Sequence, residues 1–221
     1  MNRTIIIGDI HGCYHTLIGP LSRVGYDSAN DNLIFLGDYI DRGLNSYEVV
    51  SAIRKLQQQV GKERVVCIRG NHEQMAIDAV ENNARDLWYY NGGAMTDESF
   101  ERHGEDVASF VAWFKSLPLF CESKHFIFCH AGLTEPKLED NTQDDLLWGR
   151  DWLKSDTRKR EKKVIFGHTP NPYGKAYTTK TEDICIDSAC VYGGNLCALI
   201  ISSNGSVSIV YEHKSQKDAE Q

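Results

Sequence analysis

GDIHG, residues 8–12, directly follows the apolar run TIII at residues 4–7. The run is short, β-branched and unbroken, which reads as a strand buried on both faces. An acid and a histidine then stand two positions apart, flanked by Gly8 and Gly12. In an extended chain such residues point to the same side, so Asp9 and His11 are expected to reach one common point. The glycines allow tight turns and close backbone approach.

The same arrangement recurs. LIFL (33–36) leads to GDYIDRG (37–43), and VVCI (65–68) to RGNHE (69–73). FIFC (126–129) leads to HAG (130–132), and VIF (164–166) to GHT (167–169). Helical spacing fills the gaps between the first three runs. Leu17, Leu21 and Val24 form one series; Val49, Val50, Ile53 and Leu56 form another, with Asn45 and Glu48 marking a helix start. Strands alternating with helices predict parallel pairing through crossovers. Residues 82–117 lack a strand pattern and read as a helical insertion around an NGG turn at 91–93. KAYTT, DICID, LCALII and SVSIVY in the last third suggest a second, more antiparallel sheet. The expected organisation is a single domain over 1–213 and a flexible polar tail over 214–221.

Composition narrows the function. The chain has 221 residues, 41% hydrophobic and 25% charged, and a net charge of −7. One globular domain fits that length. The acidic balance argues against nucleic acid and against an anionic membrane as partners. An anionic substrate would need positive charge concentrated at the site. The seven cysteines are odd in number, form no C-x-x-C pair and lie mostly in apolar runs. That reads as a reducing compartment without a disulfide framework. With no signal-peptide pattern and no run long enough to span a membrane, the expectation is a cytoplasmic protein. The basic run RKREKK (158–163) reads as a solvated loop before a strand.

In open α/β sheets, ligands bind beyond the carboxyl ends of the strands. The polar residues delivered there are Asp9, His11, Asp38, Asn71, His130 and His168. This oxygen and nitrogen set has no thiolate and suits Mn²⁺, Fe or Zn²⁺ better than a soft metal or a calcium cage. It exceeds what one four-coordinate ion requires. A shared carboxylate, with Asp38 the natural candidate, would hold two ions about 3.5–4 Å apart, as suits in-line attack on phosphorus. Arg42, Arg69 and Arg150 stand in or beside these motifs, and a guanidinium fork suits phosphate oxygens. His72 is spare as a ligand and so free to act as general acid, with Asp41 placed to hold its ring in one tautomer.

Taken in order, GDIHG, GDYIDRG, RGNHE, HAG and GHT resemble the signature blocks of the phosphoprotein phosphatase family of metallophosphoesterases. They span residues 8–169. NGG at 91 and LLWGRDW at 146 resemble its small bacterial and bacteriophage serine/threonine phosphatases. IDSACVYGGNL (186–196) resembles the family's final segment near the site, with Ala189 where glycine is usual. Pro170 stands where many other metallophosphoesterases carry a second histidine, which points toward the phosphoprotein branch.

The resemblance implies an α/β calcineurin-like metallophosphoesterase fold, a two-sheet β-sandwich core flanked by helices. It implies Asp9, His11 and Asp38 on one metal, and Asp38, Asn71, His130 and His168 on a second, usually Mn²⁺. A hydroxide between the metals would attack phosphorus. Arg42, Arg69 and Arg150 would orient the phosphoryl oxygens, and His72, backed by Asp41, would protonate the leaving group. The implied activity is a serine/threonine protein phosphatase acting on phosphorylated proteins, with phosphotyrosine as a further substrate. The alternative is a diadenosine tetraphosphate hydrolase of the same fold. That relative resembles GNHD where this chain has Glu73, and it lacks the acid matched by Asp41. A non-catalytic phosphoprotein-binding scaffold is a minor third reading. Specificity is expected in the insertion and in the loops near 133–160.

Overall fold

The computed structural model describes residues 3–150 and 160–219. The apolar runs are strands: β1 (Thr4–Ile7), β2 (Asn32–Phe35) and β3 (Val65–Cys67) in one sheet, Phe126–Cys129 and Lys163–Phe166 in another. Between them run α1 (Tyr14–Arg23) and α2 (Ser46–Val60). These helices let β1 and β2, then β2 and β3, pair in parallel, with Ile5 opposite Leu33 and Ile34 opposite Val66. Asn45 precedes α2 as expected, but its side chain makes no cap hydrogen bond to the helix.

The chain continues through α3 (Asn71–Glu81), α4 (Arg85–Tyr90), α5 (Gly93–Glu101) and α6 (Ala108–Ser116). The last three lie within residues 82–117. Gly92, at φ +100°, makes the left-handed turn between α4 and α5 that a side chain would disfavour. The second sheet takes β4 (Phe120–Glu122), β5 (Phe126–Cys129), β6 (Lys163–Phe166), β7 (Tyr177–Thr178) and β8 (Ile184–Cys185), in the order β4-β5-β6-β8-β7. A short α7 (Gln143–Trp148) lies between β5 and β6, capped by Thr142.

The last third differs from expectation. β9 (Asn195–Ile201) and β10 (Val207–His213), which hold LCALII and SVSIVY, are antiparallel but join the first sheet, whose order is β10-β9-β1-β2-β3. Both faces of β9 are buried. Leu196, Ala198 and Ile200 pack toward the helices, while Cys197 and Leu199 pack between the sheets. A strand apolar on both faces belongs inside a sheet, and β9 sits between β1 and β10. The second sheet is mixed, with parallel β5–β6 and β6–β8 pairs between antiparallel edges.

Period-two alternation builds the layers. Ile5 and Ile7 face the helices while Ile6 faces the other sheet; Ile127 and Cys129 face α7 while Phe128 faces inward. The result is helices, sheet, sheet and α7. The seven cysteines are free. No helix among the described residues is long and apolar enough to cross a membrane.

Two polar segments make contacts that their composition does not reveal. Of the basic run 158–163, positions 158 and 159 lie outside the described residues. Arg160 is buried on Asp183, while Lys162 and Lys163 pair with Glu122 and Glu182. The tail is packed rather than frayed over its described part: Gln216–Asp218 form a turn and the Asp218 side chain is buried. Its polarity reflects hydrogen bonding at a helix start, which composition alone does not distinguish from solvation.

Gly43 lies where the GDIHG and GDYIDRG loops touch. A Cβ there would fall 2.0 Å from the His11 carbonyl oxygen. Gly205, at φ +84°, has open space around it. Gly43→Ala should therefore destabilise by about 1–3 kcal/mol or more, as backbone is forced apart. Gly205→Ala should lose only about 1 kcal/mol to backbone strain. Urea midpoints of the two variants at equal m check the contrast.

Candidate active site

Asp9 and His11 reach their common region by a turn, not by strand alternation. β1 ends at Ile7, and His11 has φ +46°. Asp38, Asp41, Arg42 and His168 also have positive φ, at 53°, 72°, 68° and 66°. Non-glycine residues avoid this region, and each must be held there by its surroundings. The hold is visible. The backbone N–H groups of Ile10 and His11 both donate to the Asp38 carbonyl, at 3.0 and 2.8 Å. The Glu73 carboxylate, fully buried, accepts from the backbone N–H groups of Asp38 (2.9 Å), Tyr39 (2.8 Å) and Gly70 (2.9 Å). It staples the GDYIDRG loop to the start of α3.

Six buried side chains then converge. His130 Nε2 lies 3.3 Å from Asp38 Oδ1, and His11 Nε2 lies 3.4 Å from Asp38 Oδ2. Asn71 Oδ1 is 2.8 Å from His130 Nε2 and 3.0 Å from His168 Nδ1. Ligand atoms of His11, Asp38 and His72 form one group within 4.8 Å; those of Asp38, His130 and His168 form another. Asp38 belongs to both. Asp9 stands slightly apart, accepting from the His168 backbone N–H at 2.9 Å through Oδ2.

These residues fit divalent metal ions. Asp9 Oδ1 and His168 Nε2 are buried without a hydrogen-bond partner among the described residues. Such orphaned polar atoms are costly unless something else binds them. His11 Nδ1 donates to the Ile40 carbonyl at 2.8 Å and His130 Nδ1 to the Leu36 carbonyl at 2.9 Å, since a carbonyl can only accept. Burial holds both imidazoles neutral, His11 well below its ordinary pKa and His130 down to about 3. Their Nε2 atoms therefore carry lone pairs at the cluster, the arrangement of metal-ligating histidine, although that of His11 is met here by Arg42.

The acids point the same way. Burial first, and neighbouring carboxylates second, raise Asp9 and Asp38 well above the usual range. Burial lifts Asp187, close to both, to about 6. Clustered buried carboxylates call for positive charge, and bound cations reverse this pKa logic.

His72 Nδ1 lies 2.5 Å from Asp41 Oδ2. Asp41 also accepts from Trp88 Nε1 at 2.9 and 3.0 Å and from Thr96 Oγ1 at 2.6 Å. Burial pushes the Asp41 carboxyl up to about 8, opposed by Thr96 and Trp88. Burial also lowers His72. The short contact between Asp41 Oδ2 and His72 Nδ1 holds the ring in one orientation. That leaves His72 Nε2 turned toward Asp38 Oδ2, 3.9 Å away.

A cleft of about 230 Å³ opens over this cluster, lined among others by Arg42, Asn91, Trp148, Arg150 and Tyr192. The Arg42 guanidinium sits 5.6 Å from the Tyr192 ring centre and donates to His11 Nε2 at 2.7 Å. Arg150 reaches Thr169 Oγ1 at 3.3 Å. Arg69 departs from expectation, because it does not line the cleft. Its guanidinium binds Gln74 Oε1 (2.8 Å) and the Lys115 and Leu117 carbonyls (3.0 and 3.2 Å) at the end of α6. Those carbonyls offer a fixed partner, so the side chain ties the RGNHE loop to the insertion.

Sequence reasoning passed over Glu73, Trp88, Thr96, Asp187 and Tyr192 as individual site residues. Asp187 and Tyr192 lay within a segment already placed near the site, and Glu73 closes RGNHE. Trp88 and Thr96 carried no signal, since they meet Asp41 from 47 and 55 residues away. Ala189, at φ +59°, takes the left-handed conformation that glycine would take more readily.

A family description, calcineurin-like phosphoesterase, matches residues 3–203. The chain is 31% identical over 204 residues to serine/threonine-protein phosphatase 2 of Salmonella typhimurium, covering 86% of this chain and 89% of that protein. It is 27% identical over 236 residues to an asymmetrical bis(5'-nucleosyl)-tetraphosphatase of Anoxybacillus flavithermus, covering 92% of each. A Saccharomyces cerevisiae protein serine/threonine phosphatase superposes with a TM-score of 0.70 at 17% identity, over 95% of this chain and 79% of that one. That likeness establishes the shared fold.

Because Asp38 belongs to both ligand groups, Asp38→Asn should weaken both Mn²⁺ binding events of the metal-free protein, while His130→Ala should weaken mainly one. Titration calorimetry resolves the two. Mn²⁺ at 100 times its dissociation constant should also stabilise the wild-type fold by about 2.7 kcal/mol for each ion bound, measurable as a shift in urea midpoint.

Proposed function

The chain belongs to the calcineurin-like phosphoesterase family, and we propose that within it the protein is a serine/threonine protein phosphatase that hydrolyses phosphate monoesters on protein substrates. Asp9, His11 and Asp38 would hold one divalent ion; Asp38, Asn71, His130 and His168 would hold the other, with Mn²⁺ the preferred metal. Such ions supply Lewis-acid charge to the phosphoryl oxygens and a nucleophile at neutral pH.

The chain's own residues do the rest. Arg42 and Arg150 bind and orient the phosphoryl group through their forked donors. Arg69 contributes by anchoring the RGNHE loop, through its bonds to Gln74 and the end of α6. His72 donates a proton from Nε2 to the departing serine or threonine oxygen. Asp41 holds the ring through Nδ1 and stabilises the imidazolium before transfer. The observation that carries this reading is the 2.5 Å contact of His72 with a buried Asp41, beside Asp38 and at the floor of the cleft. A serine alkoxide is a poor leaving group, so a positioned acid matters most for that substrate.

The similarity to a bis(5'-nucleosyl)-tetraphosphatase over 92% of the chain supports a second reading, hydrolysis of dinucleoside polyphosphates. The presence of Asp41 on His72 favours the phosphatase reading, because polyphosphate leaving groups need little protonation. With Mn²⁺ present, kcat/KM on phosphoserine, phosphothreonine and phosphotyrosine peptides should exceed that on diadenosine tetraphosphate. A dinucleotide preferred by tenfold, about 1.4 kcal/mol of transition-state preference, would replace the phosphatase reading with the second one.

His72→Asn should lower kcat on a phosphoserine peptide by about 10²–10⁴-fold. An activated aryl phosphate should lose much less. Equal losses on the two substrates would remove His72 from the general-acid role.

A further inference from the structure

Asp218 makes contacts that neither the metal-ligating cluster nor the phosphate-binding arginines account for. It is 1% exposed. Its carboxylate accepts from the backbone N–H groups of His15 (3.1 Å) and Thr16 (2.7 Å), from Thr16 Oγ1 (2.6 Å) and from Asn45 Nδ2 (3.1 Å). His15 and Thr16 lie in the first turn of α1, where the preceding Cys13 supplies no side-chain cap. Asn45 precedes α2, and its own N–H donates to the Gly12 carbonyl at 3.1 Å. One carboxylate thus joins the starts of the two helices that leave the GDIHG and GDYIDRG loops.

The same segment reaches a third loop of the site. Lys214 donates through Nζ to the Val191 carbonyl (2.9 Å) and through its backbone N–H to the Gly194 carbonyl (3.1 Å). These residues bracket Tyr192, which lines the cleft. Ser215 N–H donates to Thr16 Oγ1 at 2.9 Å, closing the segment onto α1.

A carboxylate at a helix start is favoured by the unpaired N–H groups and the helix dipole. Capping explains the bonds to His15 and Thr16. It does not explain the bond to Asn45, which belongs to another helix and another loop. We propose that Asp218 is a positioning residue for phosphoester hydrolysis, an inference that rests on the hydrolase reading. By fixing the starts of α1 and α2 against each other, it sets the spacing of His11, four residues before His15, against Asp38 and Arg42. That spacing is short, 3.4 Å from His11 Nε2 to Asp38 Oδ2 and 2.7 Å to Arg42 Nη1. Misplacement by about 1 Å can cost on the order of 10²-fold in rate.

The test compares Asp218→Ala, Asp218→Asn and Asn45→Ala with a control, Asp31→Ala, in the full chain. Asp31 is also a buried carboxylate, bonded to Arg3 and to the Asp27 N–H, but it lies before β2 and away from the cleft. Three quantities are read: kcat and KM on an aryl phosphate with Mn²⁺, Mn²⁺ affinity of the metal-free protein by calorimetry, and the urea midpoint. Asp218→Ala should lower kcat by about tenfold with little change in KM, and should weaken Mn²⁺ binding. Asp218→Asn, which keeps one acceptor oxygen, should recover part of both. Asn45→Ala should lower kcat while leaving the α1 cap in place. Asp31→Ala should lose stability and keep its kcat and Mn²⁺ affinity.

If Asp218→Ala loses stability as the control does, yet keeps wild-type kcat and Mn²⁺ affinity, the proposal is overturned. If that variant does not fold, Asn45→Ala decides, and wild-type values in it overturn the proposal. A wild-type protein inert on every phosphoester would instead sink the hydrolase reading, and Mn²⁺ affinity would still decide the positioning role.

Discussion

Acceptor atoms are buried together at one point without donors to match them, and the rest of the structure depends on that constraint. Asp9 Oδ1 and His168 Nε2 have no hydrogen-bond partner among the described residues, and His130 Nε2 turns toward Asp38. Left alone, buried carboxylates cost several kcal/mol each. Divalent cations would relieve that cost, so the cluster suits metal better than it suits a core. The sandwich supplies what the cluster cannot. Two sheets packed through Ile6, Ile34, Phe128, Ile165 and Leu199 fix the strand ends from which the ligands project.

A second set of carboxylates handles geometry. Glu73 gathers three backbone N–H groups, Asp41 gathers Trp88, Thr96 and His72, and Asp218 gathers the start of α1 and Asn45. An ionised carboxylate accepts several donors at once, and bonds to a charged acceptor are stronger than neutral ones. Each therefore holds a loop whose backbone is strained, as the positive φ of His11, Asp38, Asp41 and Arg42 requires. Acids at the site divide by surroundings: those left short of donors face the clustered histidines, and those saturated with donors fix the chain.

Much of this was legible in the sequence because it is local. A buried strand must be apolar on both faces, so TIII, LIFL and FIFC announce themselves, and the glycine-flanked acids and histidines behind them follow at fixed spacing. Even there the route of convergence differs from alternation along a strand, since the chain after β1 turns instead of staying extended. What was not legible is long-range. Whether β9 and β10 extend the first sheet or the second depends on which edge is free, and local alternation is the same in either case. The direction of Arg69 depends on where α6 ends, and the packing of the tail depends on an uncapped α1 lying nearby. A polar segment reads as solvated until its partner is known.

The insertion illustrates what this division of labour means for the chemistry. Trp88 and Thr96 come from α4 and α5, which sequence alone marks only as an addition between α3 and β4. Both donate to Asp41, and so both act on His72 through one buried carboxylate. Arg69 binds the same insertion at its other end, through the carbonyls that close α6. Asn91, from the turn between α4 and α5, lines the cleft itself. A segment that lines the cleft is thus bonded to Asp41, the carboxylate that holds His72. Displacing α4 or α5 would therefore also move Asp41, so the cleft wall at Asn91 and the position of His72 are coupled by packing.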